Sequence, residues 1–296
     1  MKFFWMCIGI GLSTFSIIGV WIASRTNQPE TIQKIQLVTE EKPPLASPSL
    51  ISTSTPTITP SPYPLITLNE SSSPEKSANK EWWVSSGGKA FIQGQTIKTI
   101  QGSLPSSDQW YTLYNNSNPL DTDAGKHPQN IFRLVHKQKV TNYSQEVYFS
   151  INTFNESESE NRNESNGVLL FNRYQDENNL YYTGIRVDGQ AVIKKKSDGN
   201  YETLAIKKIL SGSYSRNTEL LRIHTFYGIK STVKTNENGV TITLFTDLNN
   251  SGSWKKVLEI IDSHPDAATT YLSGPGYTGL RSDFMDVEFK NYNIQE

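Results

Sequence analysis

GVLLFNRYQDENNLYYTGIRVDGQAVIKKKSDGNYETLA, residues 167–205, is the stretch whose reading decides the fold class. VLLFNRY (168–174), LYYTGIRV (180–187) and QAVIKKK (190–196) are short runs of β-branched, aromatic and aliphatic residues. Asp188-Gly189 and Asp198-Gly199 punctuate them. Asp and Gly tolerate the positive φ that primed two-residue turns need, so these runs are expected to pair as antiparallel hairpins. The same texture extends outward through NIFRLVH (130–136), EVYFSINTF (146–154), GVTITLFTDL (239–248), WKKVLEII (254–261) and MDVEFKNYNI (285–294). Asn238-Gly239 and Asn249-Asn250-Ser251-Gly252 supply further turns. No stretch carries a sustained apolar stripe of period 3.6, and IHTFYGIK (223–230) is too short and aromatic to count as one. Strands at this spacing predict an all-β antiparallel sandwich rather than βαβ units.

Residues 167–205 resemble the middle of concanavalin A-like jelly rolls, a superfamily that includes laminin G-type modules. The shared pattern is a buried strand ending in Arg173-Tyr174, an Asp/Asn loop, a Tyr-rich strand, a two-residue turn and a Lys-rich strand. Gly276-Tyr277-Thr278-Gly279-Leu280-Arg281 followed by MDVEFKNYNI resembles the turn and closing strand that end such domains. The resemblance implies a jelly roll over residues 81–296. It covers sugar-binding modules, glycoside hydrolases, polysaccharide lyases and adhesion domains, so it implies no single activity.

The first third reads differently. Phe3 to Ala23 holds no charge and only Ser13, Thr14 and Ser16 as polar interruptions. As a helix these residues would span about 31 Å, close to the hydrocarbon core of a bilayer. A transmembrane signal-anchor is therefore expected over residues 1–25, with a cleaved signal peptide as the competing reading. Residues 26–80 read as a disordered spacer. Seven of the 14 prolines fall between Pro43 and Pro64, and no charge occurs from Pro43 to Asn69. Proline fixes φ and lacks an amide donor, so neither helix nor sheet propagates there. The expected arrangement is single-pass in the cell membrane with the β domain extracytoplasmic. Lys2 and Arg25 flank the apolar run almost evenly, so orientation rests on the spacer rather than on flanking charge.

Cys7 is the sole cysteine, which excludes disulfides and thiolate metal sites downstream. A net charge of −1 gives no general basic field for nucleic acid. His127, His136, His224 and His264 show no metal-binding spacing. Six Asn-x-Ser/Thr sequons, at Asn69, Asn115, Asn142, Asn155, Asn163 and Asn249, are ordinary in so Asn- and Ser-rich a chain.

Hydrolases of this fold place paired carboxylates on one strand, and that motif is missing. Asp286 and Glu288 share a face by alternation, but Val287 and Phe289 read as core, leaving Asp286, Glu288 and Lys290 as a solvated face. Asp247 to Gly252 imitates the start of a calcium loop, yet Leu258 stands where a bidentate Glu is needed, so a hairpin turn is expected. Asp121 and Asp123 form a better oxygen cluster for a structural calcium. Sugar binding asks for flat aromatic faces beside planar polar groups. Trp110, Arg173, Tyr182 and Arg186 are the residues expected to line such a cleft. The expected function is non-catalytic glycan binding at the cell surface. The alternatives are a polysaccharide-degrading enzyme of the same fold or a protein-adhesion domain.

Overall fold

The computed structural model describes residues 61–263 and 272–296. Fifteen strands form two antiparallel sheets among the described residues. The eight-stranded sheet runs, edge to edge, β1 (Ile66–Asn69), β3 (Lys89–Gln93), β4 (Thr96–Thr99), β15 (Met285–Gln295), β6 (Tyr143–Phe154), β11 (Phe226–Asn236), β12 (Gly239–Asp247) and β13 (Lys255–Asp262). The seven-stranded sheet runs β10 (Asn200–Lys208), β9 (Gln190–Ser197), β8 (Asn179–Arg186), β7 (Gly167–Asp176), β14 (Gly276–Asp283), β5 (Ile131–Val140) and β2 (Trp82–Ser86).

Alternation builds the core between the sheets. Phe132, Leu134, Val168, Leu170, Ile185 and Leu280 project from the seven-stranded sheet, against Val147, Phe149, Ile151, Ile229, Val287 and Phe289 from the other. The residues between them on each strand turn outward. On the seven-stranded sheet these outward positions form a second apolar cluster of Trp83, Val135, Leu169, Phe171, Tyr174, Leu180, Tyr182 and Val192. Two apolar faces on one sheet are unusual for an antiparallel sheet whose outer face meets only water. That second cluster floors the site described below.

Several expectations change. The segment 61–80, read as spacer, enters the domain: β1 pairs with β3, and Leu68 is buried in the core. Past Pro64 the chain regains amide donors and an alternating Leu-Ile-Thr-Leu pattern, which a sheet edge captures. Gly276 to Arg281 is not a turn but most of β14, inserted between β7 and β5. A helix, α1 (Gln109–Ser117), follows an N-cap in which the Asp108 side chain accepts from the Trp110 amide at 2.9 Å. No helix among the described residues is long and apolar enough to cross a membrane. The anchor expected over residues 1–25, most of the spacer and His264 lie outside the described residues.

Candidate functional site

A cleft of about 440 Å³ opens on the outer face of the seven-stranded sheet. Six strands contribute to its lining: Ile131 and Arg133 from β5, Arg281 and Asp283 from β14, Leu169 from β7, Tyr182 from β8, Lys194 from β9 and Tyr201 from β10. Register places them in rows, with Arg133 opposite Arg281, Arg281 opposite Leu169, and Lys194 opposite Tyr182. The loop before β7 supplies Asn161, Asn163 and Ser165 to the rim. A second cleft, of about 460 Å³ and lined by Trp83, Tyr174 and Tyr277, shares Arg133 with the first.

A row of rings joins the two. Tyr201 stacks on Tyr182 with centroids 6.0 Å apart and planes 30° off parallel. Tyr182 meets Phe171 edge-on at 5.6 Å, Phe171 meets Tyr174 at 5.4 Å, and Tyr174 meets Trp83 at 6.3 Å. Tyr201 alone among these is open to solvent, at 53% exposure; Tyr182 is at 2%. The inner rings are therefore a floor, and Tyr201, with the Lys196 ammonium 5.0 Å from its ring centroid, is the ring a ligand can reach.

The charge pattern is uneven. The Arg281 guanidinium lies 5.1 Å from the Tyr182 ring centroid, and its Nε donates to both Asp283 oxygens at 2.9 and 3.1 Å. Burial opposes the Arg281 charge, but Asp283 and the two tyrosine hydroxyls outweigh it and raise its pKa. Burial, together with the nearby Arg186 and Arg281 cations, holds the Lys194 ammonium below its ordinary value. Burial also raises the Tyr182 hydroxyl. At Tyr201 burial acts in the same direction but is outweighed, first by Arg281, so the hydroxyl lies below the usual phenol range.

Of the four residues expected to bind ligand, only Tyr182 lines this cleft. Arg173 is fully buried and turned away. It sits at φ 51°, in an irregularity that breaks β7 pairing between Asn172 and Asp176. The alternation that puts Leu169 and Phe171 outward therefore skips Arg173 and resumes at Tyr174. The Arg173 Nη1 donates instead to the carbonyls of Leu272, Ser273 and Gly274, and Nη2 to the Thr235 hydroxyl. Trp110 is a buried residue of α1, its Nε1 donating to Asn69 Oδ1 at 3.3 Å. Arg186 is tied to the Glu164 carbonyl at 3.0 Å and to Asp188 at 2.9 Å.

The calcium candidates are committed to donors. Asp121 lines the cleft, but its Oδ1 accepts from Ser159 and Asn161, and its Oδ2 from Asn118. The Asp123 Oδ2 accepts from Asn130 at 3.0 Å and faces His127 Nδ1 at 2.7 Å. No cluster of three or more His, Cys, Asp or Glu side chains able to hold a metal occurs among the described residues. Asp286 is not solvated: it is buried, accepting from Gly102 N at 2.6 Å, Gln129 at 2.8 Å and Asn155 at 3.0 Å. Glu288 is held by Lys98 and Lys290 at 2.9 and 2.8 Å.

Arg133, Lys194, Tyr201 and Arg281 were not among the ligand-binding residues expected from the sequence. The signal was present for two of them: an Arg inside an apolar strand, the feature that drew attention to Arg173, also marks Arg133 in NIFRLVH and Arg281 in TGLRSD.

No protein-family model matches the sequence, and no curated protein matches it. Among solved structures, the carbohydrate-binding module CBM66 from Bacillus subtilis is 11% identical, with 73% of this chain and 96% of that one covered, at a TM-score of 0.45. The exoplasmic/lumenal domain of VIP36 in its calcium- and mannose-bound form is 10% identical, with 77% and 88% covered, at 0.42. Winged bean acidic lectin complexed with methyl-α-D-galactose is 9% identical, with 79% and 99% covered, at 0.39. These likenesses say nothing of what this chain binds.

Proposed function

We propose that the protein binds a saccharide in the cleft on the outer face of its seven-stranded sheet, without cleaving it. One observation carries this reading: Tyr201 presents an exposed ring, backed by Tyr182 and beside the Arg281 guanidinium, in a cleft that Arg133, Asn161 and Asn163 also line. A flat apolar face stacks on a pyranose, and planar donors at its edge take the hydroxyls. Hydrolysis would need a carboxyl group kept protonated as an acid. Of the two acidic residues lining the cleft, Asp121 offers the opposite. Burial raises Asp121, but hydrogen bonds from Ser159, Asn161 and Asn118 outweigh it and hold the group below its ordinary value. Asp283 is engaged by Arg281. The uncharged Phe3–Ala23 run and the proline spacer support display of this site outside a cell membrane.

The test is binding across an immobilised glycan panel by the wild type and by Tyr201→Ala. Loss of the exposed ring is expected to weaken binding about tenfold, the equivalent of about 1.4 kcal/mol, with an unchanged melting temperature. Binding at wild-type strength in Tyr201→Ala would remove the cleft from consideration.

A further inference from the structure

Two cations in the cleft have no anion of their own. Arg186 pairs with Asp188, Arg281 with Asp283, and the buried Lys195 with Asp262. The side chains of Arg133 and Lys194, both partly buried, form no hydrogen bond or close ion pair with any described residue, although Asp283, already paired with Arg281, attracts Lys194 from farther off. They enter from opposite sides, on β5 and β9, with Arg281 between them. A partly desolvated charge without a partner is unfavourable in the free protein, and a bound anion relieves that.

We propose, resting on the saccharide reading above, that the ligand of this cleft is an acidic oligosaccharide whose separate carboxylate or sulfate groups are taken one by Arg133 and another by Lys194, which stand four strand spacings, about 19 Å, apart. Arg133 suits this role because its planar fork presents paired donors to a carboxylate or sulfate. It also lines both clefts, so the anionic group it takes would sit where they meet, and the group taken by Lys194 farther along the first cleft. The lowered Lys194 ammonium is consistent, since an anion would offset the repulsion from Arg186 and Arg281. The rim discriminates against dense polyanions. Glu156, Glu158, Glu160 and Glu164 are all exposed on the loop that brings Asn161, Asn163 and Ser165 to the cleft. Nucleic acid, with one charge per about 1.7 Å of duplex axis, would meet that acidic loop. A sugar with isolated charges would not.

The experiment measures affinity of the full-length chain for an oligogalacturonate, a sulfated oligosaccharide, a neutral oligogalactoside and double-stranded DNA. At least one acidic oligosaccharide is expected to bind about tenfold or more tighter than the neutral one, and to weaken steeply between about 50 and 500 mM NaCl. Which of the two binds separates carboxylate from sulfate. Arg133→Gln and Lys194→Gln are each expected to lose that preference while keeping the wild-type melting temperature, and Arg133→Lys to restore part of it. Equal, salt-insensitive binding of acidic and neutral sugars would overturn the acidic assignment and leave saccharide binding standing. DNA binding as tight as the best sugar would also overturn it. Failure of every sugar would overturn the saccharide reading itself. The wild-type comparison decides the matter even where a variant fails to fold.

Discussion

Arg173 shows how one backbone conformation redirects a side chain. At φ 51° it occupies the left-handed region that a bulky residue enters only when its surroundings compensate. The compensation is a guanidinium that holds three consecutive carbonyls, at 2.9, 2.5 and 3.1 Å, and the Thr235 hydroxyl at 2.9 Å. Burial pulls the pKa of Arg173 down, although the group remains a cation. Removing it strands buried carbonyl oxygens, each of which is unfavourable without a donor. Arg173→Met is therefore expected to destabilise the domain by about 3 kcal/mol, a fall of roughly 6–12 °C in melting temperature. Saccharide affinity at the Tyr201 cleft should be unchanged in the surviving folded protein. Calorimetry with a parallel binding assay checks both, and an unaltered melting temperature would contradict the structural role.

Asn172, its neighbour, is a buried hub. Its Oδ1 accepts from Tyr143, Gln145 and Ser231, and its Nδ2 donates to Thr183. With these donors and acceptors matched, a polar group can occupy the sandwich interior.

At the scale of elements, the turn between β12 and β13 illustrates how a calcium-like sequence becomes a hairpin. Asp247 accepts from the Asn249, Ser251 and Gly252 amides at 3.2, 2.7 and 2.7 Å, from the Ser251 hydroxyl at 3.0 Å and from Tyr148 at 3.0 Å. Protein donors stand where a cation's ligands would point outward. Burial raises the Asp247 pKa, but these donors, led by Gly252, outweigh it and hold it below 3.8. A depressed acid pKa stabilises the fold above the unfolded value, and that stabilisation fades as pH falls through the folded value. The wild type is thus expected to lose stability below about pH 4 more steeply than Asp247→Asn, which should be the less stable of the two at pH 7. Denaturant titrations from pH 2 to pH 7, on the order of that range, check this; parallel profiles would contradict it.

The same scale explains what the sequence could and could not reveal. Alternation correctly set Leu169 and Phe171 on one side of β7 and placed Val287 and Phe289 in the core, because side-chain period is a local property. The irregularity at Arg173 carries no local signal, since neither Gly nor Asn marks that position. Strands β1 to β4 were also hidden, being four or five residues long and beside a proline-rich stretch. Helix α1 did leave a signal, the Asp108 cap, but its nine residues are too short for a clear stripe.

Across the whole molecule, the cleft depends on strands far apart in sequence. Arg133, Lys194 and Arg281 reach one face only because β14 inserts between β5 and β7. Adjacency of that kind is set by non-local pairing, and a single sequence does not display it. Tyr182, which lines the cleft, could be singled out in the sequence because it belongs to the contiguous hairpin stretch from which the fold itself was read. Its partners Arg133 and Arg281 lie 49 and 99 positions from it along the chain.

The measurement that bears most directly on saccharide binding in this cleft is a crystal structure with the tightest-binding oligosaccharide. The account predicts a sugar ring lying on the exposed face of Tyr201, with Arg133 in contact with the same molecule. A sugar seated on the eight-stranded sheet, or clear of Tyr201 and Arg133, would contradict it.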